Sequence, residues 1–410
     1  MRLIDVDSHF LEPPNWLETI DPKLAAEIPP GDPIERIVQG VIGDLLDVVP
    51  RSQRPENLIE LLAPSGRRAL AALLAENAEV RDAKLAGPRG SYDANERIAL
   101  LDQHGIDIQF LNSTLGTGPY AAAMKIGRPD LAKKALSAYN RWTSETLAGH
   151  TDRLIPTTLL DLNDVDWALA EMTRMRRAGS RAVQVRAEPV SATKSLAHPD
   201  HERIWSAAGD LGMAVIFHIA AGRAEIKRGW YFNGGDPGNF ALLHLINSPV
   251  VPQLALAALL FEGVFERHPR LVVMVQELGI SWLPHFLELI DATTVGSYGR
   301  QFGMGPGDWK YPLKPSEYMQ RQVRVSVLST GDILRPTLDL VPHEVESFFV
   351  ACSSDRQTPS LPLLPRDAAR EYLSAVTSWS PTFAGCRAPN GEDRHQHSRR
   401  IRAGCRRHRS

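Results

Sequence analysis

The feature that most limits what this chain can fold into is a recurrence. Eight short apolar or β-branched runs follow one another along it, separated by longer stretches of helical periodicity. The runs are Arg2–Val6, Ile106–Leu111, Leu154–Leu159, Arg181–Val185, Ala214–Phe217, Leu271–Val275, Val323–Val327 and Phe348–Ala351. Most are too short and too continuous for helices, and a continuous apolar run is what a strand buried on both faces requires. Between them, Asp93–His104, Val165–Arg177 and His201–Leu211 read as helices. Asp93 with Glu96 forms an N-terminal capping box, and Gly105 and Gly212 stand where helices end. Trp282–Ala292 reads as an amphipathic helix after the sixth run. Eight strands alternating with helices predict an α/β fold, a (β/α)8 TIM barrel with its site at the C-terminal ends of the strands.

At 410 residues the chain exceeds a minimal barrel, and the surplus falls in definite places. An insertion of about residues 12–90 follows the first strand, with an Arg/Pro-rich patch and an Ala-rich helix at Arg67–Ala75. A second, about 221–250, follows the fifth strand and is rich in Gly and aromatic residues. Both leave the catalytic face, so both are expected to wall the substrate site. Residues 1–355 thus form the barrel unit, and 356–410 differ from it. That tail has eleven arginines, no lysine and four acidic residues, a surplus of +7 in a chain of net charge -2. The break motivates the expectation of a frame-shifted tail, its last twenty residues disordered for want of apolar periodicity.

Composition excludes several classes of function. With 43% hydrophobic and 23% charged residues the chain can bury a large core. A net charge of -2 gives no reason to expect nucleic acid or an anionic membrane, leaving a small molecule as the partner. The start lacks the pattern of a signal peptide and no apolar stretch reaches about 18 residues, so the expected location is cytoplasmic. The cysteines Cys352, Cys386 and Cys405 have no CxxC spacing, so a metal would be held by nitrogen and oxygen.

Polar residues at strand ends line a barrel's mouth. The first strand leads into Asp7-Ser8-His9, the second ends at Asn112, the fourth at Arg186, the fifth at His218, the sixth at Glu277 and the eighth at Ser353-Ser354-Asp355. Period two puts Asp7 and His9 on one side, about 6 to 7 Å apart, a chelate spacing. Imidazole and carboxylate suit one divalent ion, Zn²⁺ or Mn²⁺ first and Fe²⁺ also. Each residue has a plainer reading: Asp7 a turn, His218 a core histidine, Glu277 and Asp355 helix caps, Arg186 an ion pair with Glu188. It is their joint placement that favours a site. His198, His201, His268 and His285 lie near or on helices and read as structural.

These residues resemble the amidohydrolase-related family of metal-dependent barrel enzymes, the group containing aminocarboxymuconate-semialdehyde and γ-resorcylate decarboxylases. The resemblance covers residues 1–355, through Ile4-Asp-Val-Asp-Ser-His-Phe-Leu-Glu-Pro13, Arg97–Leu111, His198–His218, Phe265–Asp291 and Phe348–Asp355. It implies a divalent metal held by Asp7, His9, His218 and Asp355. Many members have His-x-His where this chain has Asp7-x-His9, and a histidine that transfers protons where it has Glu277. A carboxylate could do that work if anionic neighbours raised its pKa, or could join the metal shell. Glu12 is a further candidate carboxylate at the mouth. Members often form dimers, so a homodimer is expected.

Three readings follow. The first is a metal-dependent non-oxidative decarboxylase of a small aromatic or unsaturated carboxylic acid in secondary or catabolic metabolism. In it the metal holds the carboxylate, Glu277 delivers a proton, and Arg186 or Asn112 orients the substrate. The second is a metal-dependent hydrolase of an ester, lactone or amide, with Asp355 taking the proton of the attacking water. The third is a barrel inactivated by its altered C-terminus.

Overall fold

A computed structural model of the protein describes residues 4–13, 15–28, 52, 89–218, 240–279, 282–294, 309–326 and 349–350. Eight strands form one sheet: β1 (Ile4–Phe10), β2 (Ile108–Ser113), β3 (Leu154–Leu159), β4 (Ala182–Gln184), β5 (Ala214–His218), β6 (Val273–Gln276), β7 (Val323–Ser326) and β8 (Phe349–Val350). They pair in chain order, every neighbour parallel, and each overlaps one of the eight apolar runs. The helices are α1 (Trp16–Ile20), α2 (Pro22–Glu27), α3 (Ala94–His104), α4 (Gly118–Lys125), α5 (Pro129–Thr146), α6 (Val165–Arg177), α7 (Glu202–Leu211), α8 (Phe240–Phe261), α9 (Val264–Arg267), α10 (Leu283–Thr294) and α11 (Pro315–Gln322).

Strands in a sheet lie about 4.8 Å apart, so in a flat sheet β1 and β6 would be separated by roughly 24 Å. Instead the Gln276 side chain of β6 donates to the Val6 carbonyl of β1 at 2.5 Å, and Ser326 of β7 donates to Asp7 at 2.7 Å. The sheet is therefore curled onto itself as a barrel. Val6, Phe110, Ile155, Ala182, Ala214, Ile216 and Met274 fill its interior, and two larger apolar clusters join its outer face to the helices.

Helix ends obey local chemistry. Asp93 and Asp164 accept from the Glu96 and Trp167 amides to open α3 and α6, and Gly105 and Gly212 close α3 and α7 in the left-handed conformation. Trp16 of α1 packs edge-on against Tyr139 of α5, tying the start of the first insertion to the barrel wall.

Two boundaries differ from the sequence reading. The first strand does not stop at Val6 but runs to Phe10, because Ser8, His9 and Phe10 still pair with Leu111, Asn112 and Ser113. Loss of apolar character marked the start of the site, not the end of the strand. The second insertion is helical in its last part, from Phe240 onward. The Arg67–Ala75 segment, residues 219–239, Asp355, the three cysteines and the tail lie outside the described residues. Among the described residues no helix is long and apolar enough to cross a membrane.

Candidate metal centre

Strict alternation back from Asp7 and His9 would turn Asp5 inward and Val6 outward. The structure has the reverse: Val6 belongs to the inner apolar cluster, while Asp5 bonds Gln109, which in turn bonds Arg97 of α3. The cause is a bulge. Between Asp5 and Ser8, β1 carries one residue more than β2 does between Gln109 and Leu111. The extra residue re-phases the strand so that Val6 and Asp7 both face the interior.

Arg97 holds this bulged strand from outside. It is buried, and its guanidinium donates to the His9 carbonyl at 2.6 Å, to Gln109 at 3.2 Å and to the Gly90 carbonyl. On the inside, Asp7 is fully buried and accepts from Ser326 at 2.7 Å and from Asn112 at 3.2 Å. Asn112 is itself tied to Gln276 and Thr157, at 3.0 Å each. Burial works to raise the Asp7 carboxyl, but His218, the Ser326 hydroxyl and His9 outweigh it and leave it below the usual carboxylate range.

Glu277 reaches the site by a second departure from alternation. Gln276 ends β6 facing inward, so the next residue would face outward. Glu277 instead has φ 56°, a left-handed conformation that costs a non-glycine residue about 1–2 kcal/mol, and its amide is bonded to Ser326. Its carboxylate comes to 3.6 Å from His218 Nε2, which lies 3.4 Å from Asp7.

Asp7, His9, His218 and Glu277 each present one ligand atom within 4.8 Å of all the others. Donors at about 2.1 Å from a tetrahedral ion stand roughly 3.4 Å apart, so the separations about His218 match a coordination shell. His9 supports this, since its Nδ1 lies 3.1 Å from the Ser113 carbonyl, an acceptor that fixes the proton there and leaves Nε2 as the ligand atom. Two imidazoles, two carboxylates and no thiolate suit a borderline divalent ion.

Glu12 is absent from this group. Its buried carboxylate accepts from the Ser113 hydroxyl and from the amides of Thr114, Leu115 and Gly116, so it orders the loop whose carbonyl orients His9. Burial pushes Glu12 up, and those donors pull against it. Arg186 is exposed and ion-paired with Glu188, the plainer of its two readings. Asn112 is fully buried with its amide engaged by Asp7, Gln276 and Thr157, which makes it a support for Asp7. Thr157 and Ser326 escaped the sequence reading because they lie inside the apolar runs Leu154–Leu159 and Val323–Val327, where residues were read as strand rather than site, and Gln276 was passed over between the end of the Leu271–Val275 run and Glu277. Nothing in the sequence marked Arg97.

Comparison with known proteins places the chain in a family and a fold. The profile of the family described as amidohydrolase matches residues 4–295. No curated protein matches the chain. Similar solved structures include an amidohydrolase from Mycobacterium avium subsp. paratuberculosis K-10, with 19% identity, 93% of this chain and 95% of that one covered and a TM-score of 0.56. The 5-carboxyvanillate decarboxylase of Sphingomonas paucimobilis has 17% identity, covers 92% and 96%, and scores 0.53. A dihydroxybenzoic acid decarboxylase of Polaromonas sp. JS666, solved with bound manganese and the inhibitor 2-nitroresorcinol, has 14% identity, covers 94% and 100%, and scores 0.50. At these identities the likeness carries the barrel fold.

Proposed function

Because the chain belongs to the amidohydrolase family, we propose that it is a metal-dependent non-oxidative decarboxylase of a small aromatic or unsaturated carboxylic acid. The observation that carries this reading is the position of Glu277, a carboxyl group turned into the donor cluster by a left-handed residue and only 3.6 Å from His218. Decarboxylases among the similar structures, one with manganese bound, support it.

Asp7, His9 and His218 would hold the ion, with Asp355 as a further ligand. A bound Zn²⁺ or Mn²⁺ supplies a Lewis acid for the substrate carboxylate and a neighbouring hydroxyl or carbonyl. Glu277 holds a proton on its carboxyl oxygen and passes it to the ring or alkene carbon bearing the carboxylate. The new C–H bond takes a π pair of the ring or alkene; the carbon–carboxylate bond then breaks, its electron pair restores the π system, and CO2 leaves. Asn112 and Ser326 keep Asp7 turned toward the ion, and Ser113 keeps His9 turned the same way. Arg186, at the rim beyond β4, would orient the acid only by exchanging its partner Glu188.

The family match supports a second reading, hydrolysis of an ester, lactone or amide at the same centre, with Asp355 as base. One screen separates the two. Metal-loaded protein is incubated with hydroxybenzoates and muconate-like acids, measuring CO2, and with esters and lactones, measuring acid release. CO2 from an acid is expected. Hydrolysis without CO2 would overturn the first reading, and no activity together with no metal bound would leave an inactive barrel.

A further inference from the structure

Glu12 stands three residues beyond His9 and takes no place in the donor cluster, yet it is fully buried. A carboxylate removed from water needs donors to replace it. The Ser113 hydroxyl, the Thr114 amide and the Gly116 amide reach its Oε1 at 2.9, 3.1 and 3.0 Å, and the Leu115 amide reaches its Oε2 at 2.8 Å. Successive amides turned to one anion form a nest. Gly116 closes the nest against the Tyr139 ring, where an added side chain would collide.

One of those amides does more than hold the carboxylate. The Thr114 N–H and the Ser113 carbonyl belong to the same peptide group, and that carbonyl lies 3.1 Å from His9 Nδ1. A charged acceptor on the N–H side polarises a peptide group and strengthens its carbonyl as an acceptor. The carbonyl only accepts, so it holds the proton on Nδ1 and leaves Nε2 bare for an ion. A rival arrangement stands beside it. The Thr114 hydroxyl lies 3.3 Å from the same Nδ1, and by donating there it would send the proton to Nε2 and close the ligand atom. The charge on Glu12 favours the first arrangement.

We propose that Glu12, acting through the Ser113–Thr114 peptide group, selects the His9 tautomer that binds metal, and is thereby a positioning residue for the ion. The assignment rests on the reading of the centre as a metal site and not on the reaction run there.

The test measures Zn²⁺ binding by competition with a chromophoric chelator. In parallel, nitrogen NMR of metal-free protein carrying labelled histidine locates the His9 proton, with His9→Gln supplying the assignment. Glu12→Gln keeps the size of the side chain and removes its charge. It should bind Zn²⁺ about tenfold more weakly than wild type, with the His9 proton redistributed from Nδ1 toward Nε2. Glu12→Asp keeps the charge but draws it back, and should fall between the two on both readouts. Asp164→Ala weakens the start of α6 instead and should change neither, so a general loss of stability is told apart. Zn²⁺ bound equally by wild type and Glu12→Gln overturns the assignment, as does weaker binding with the His9 proton still on Nδ1. If only Glu12→Asp folds, it is read against wild type by the same two criteria. Failure of both variants to fold overturns the assignment too, because it marks the carboxylate as a structural staple. A wild type that binds no Zn²⁺ sinks the metal centre itself. Zn²⁺ binding that depends on Glu12, with no CO2 from any acid, sinks the decarboxylase reading alone.

Discussion

Two residues show how function and stability pull apart at the centre. Glu277 occupies a left-handed conformation that Asn tolerates better than Glu. Glu277→Asn is therefore expected to leave the fold as stable as wild type or up to about 1 kcal/mol more stable, while lowering activity roughly 100-fold or more. Thermal melts and turnover measured on the same preparation decide it, and a variant that is both less stable and fully active would contradict the strain argument. Arg97 is the converse case. Its buried guanidinium spans the Gly90 and His9 carbonyls and the Gln109 amide, so Arg97→Met strands acceptors on three segments. A loss of roughly 3 kcal/mol or more is expected in urea denaturation. Asp7 and His9 were legible in the sequence as a pair because period two relates them. The role of Arg97 was not, because a buried arginine reads in sequence like any exposed one.

At the scale of elements, the helix ends carry the clearest signals and give a clean test. Asp164 caps α6 through the Trp167 amide and lies 2.6 Å from Lys133 of α5. The Lys133 ammonium and then the Trp167 amide hold the Asp164 carboxyl below its ordinary 3.8. A depressed carboxylate stabilises the fold fully above its unfolded pKa, and that stability is lost as pH falls through the folded value. Asp164→Ala should thus cost about 1 kcal/mol at neutral pH, and the gap from wild type should narrow as the medium is acidified below about pH 4. Paired denaturation curves across that range check it, and a gap that widens toward acid would refute the assigned cause. Strand ends were harder to read than helix ends. A capping aspartate and a closing glycine act over three or four residues, whereas the end of β1 depends on whether β2 continues beside it.

For the whole molecule, the centre joins β1 to β5 and the turn after β6, which follow it by more than 200 residues in sequence. An ion bound there adds stability only to the folded state, about 2.7 kcal/mol when present at a hundredfold excess over its dissociation constant. Dialysis against a chelator should lower the melting temperature, Zn²⁺ or Mn²⁺ should restore it, and His218→Ala should abolish the response. A wild-type melt indifferent to metal would remove the centre. The sequence by itself determined the barrel, since eight buried parallel strands require eight continuous apolar runs and helical connections, and that pattern survives in the order of residues alone. It also named Asp7, His9, His218 and Glu277. The tertiary structure decided how they meet. A one-residue bulge turns Val6 and Asp7 to the same side and a single positive φ turns Glu277 inward after Gln276, both departures from alternation. Neither leaves a mark in the sequence, because each is held by partners on distant strands and helices: Arg97 and Gln109 beside β1, and Ser326 beside β6.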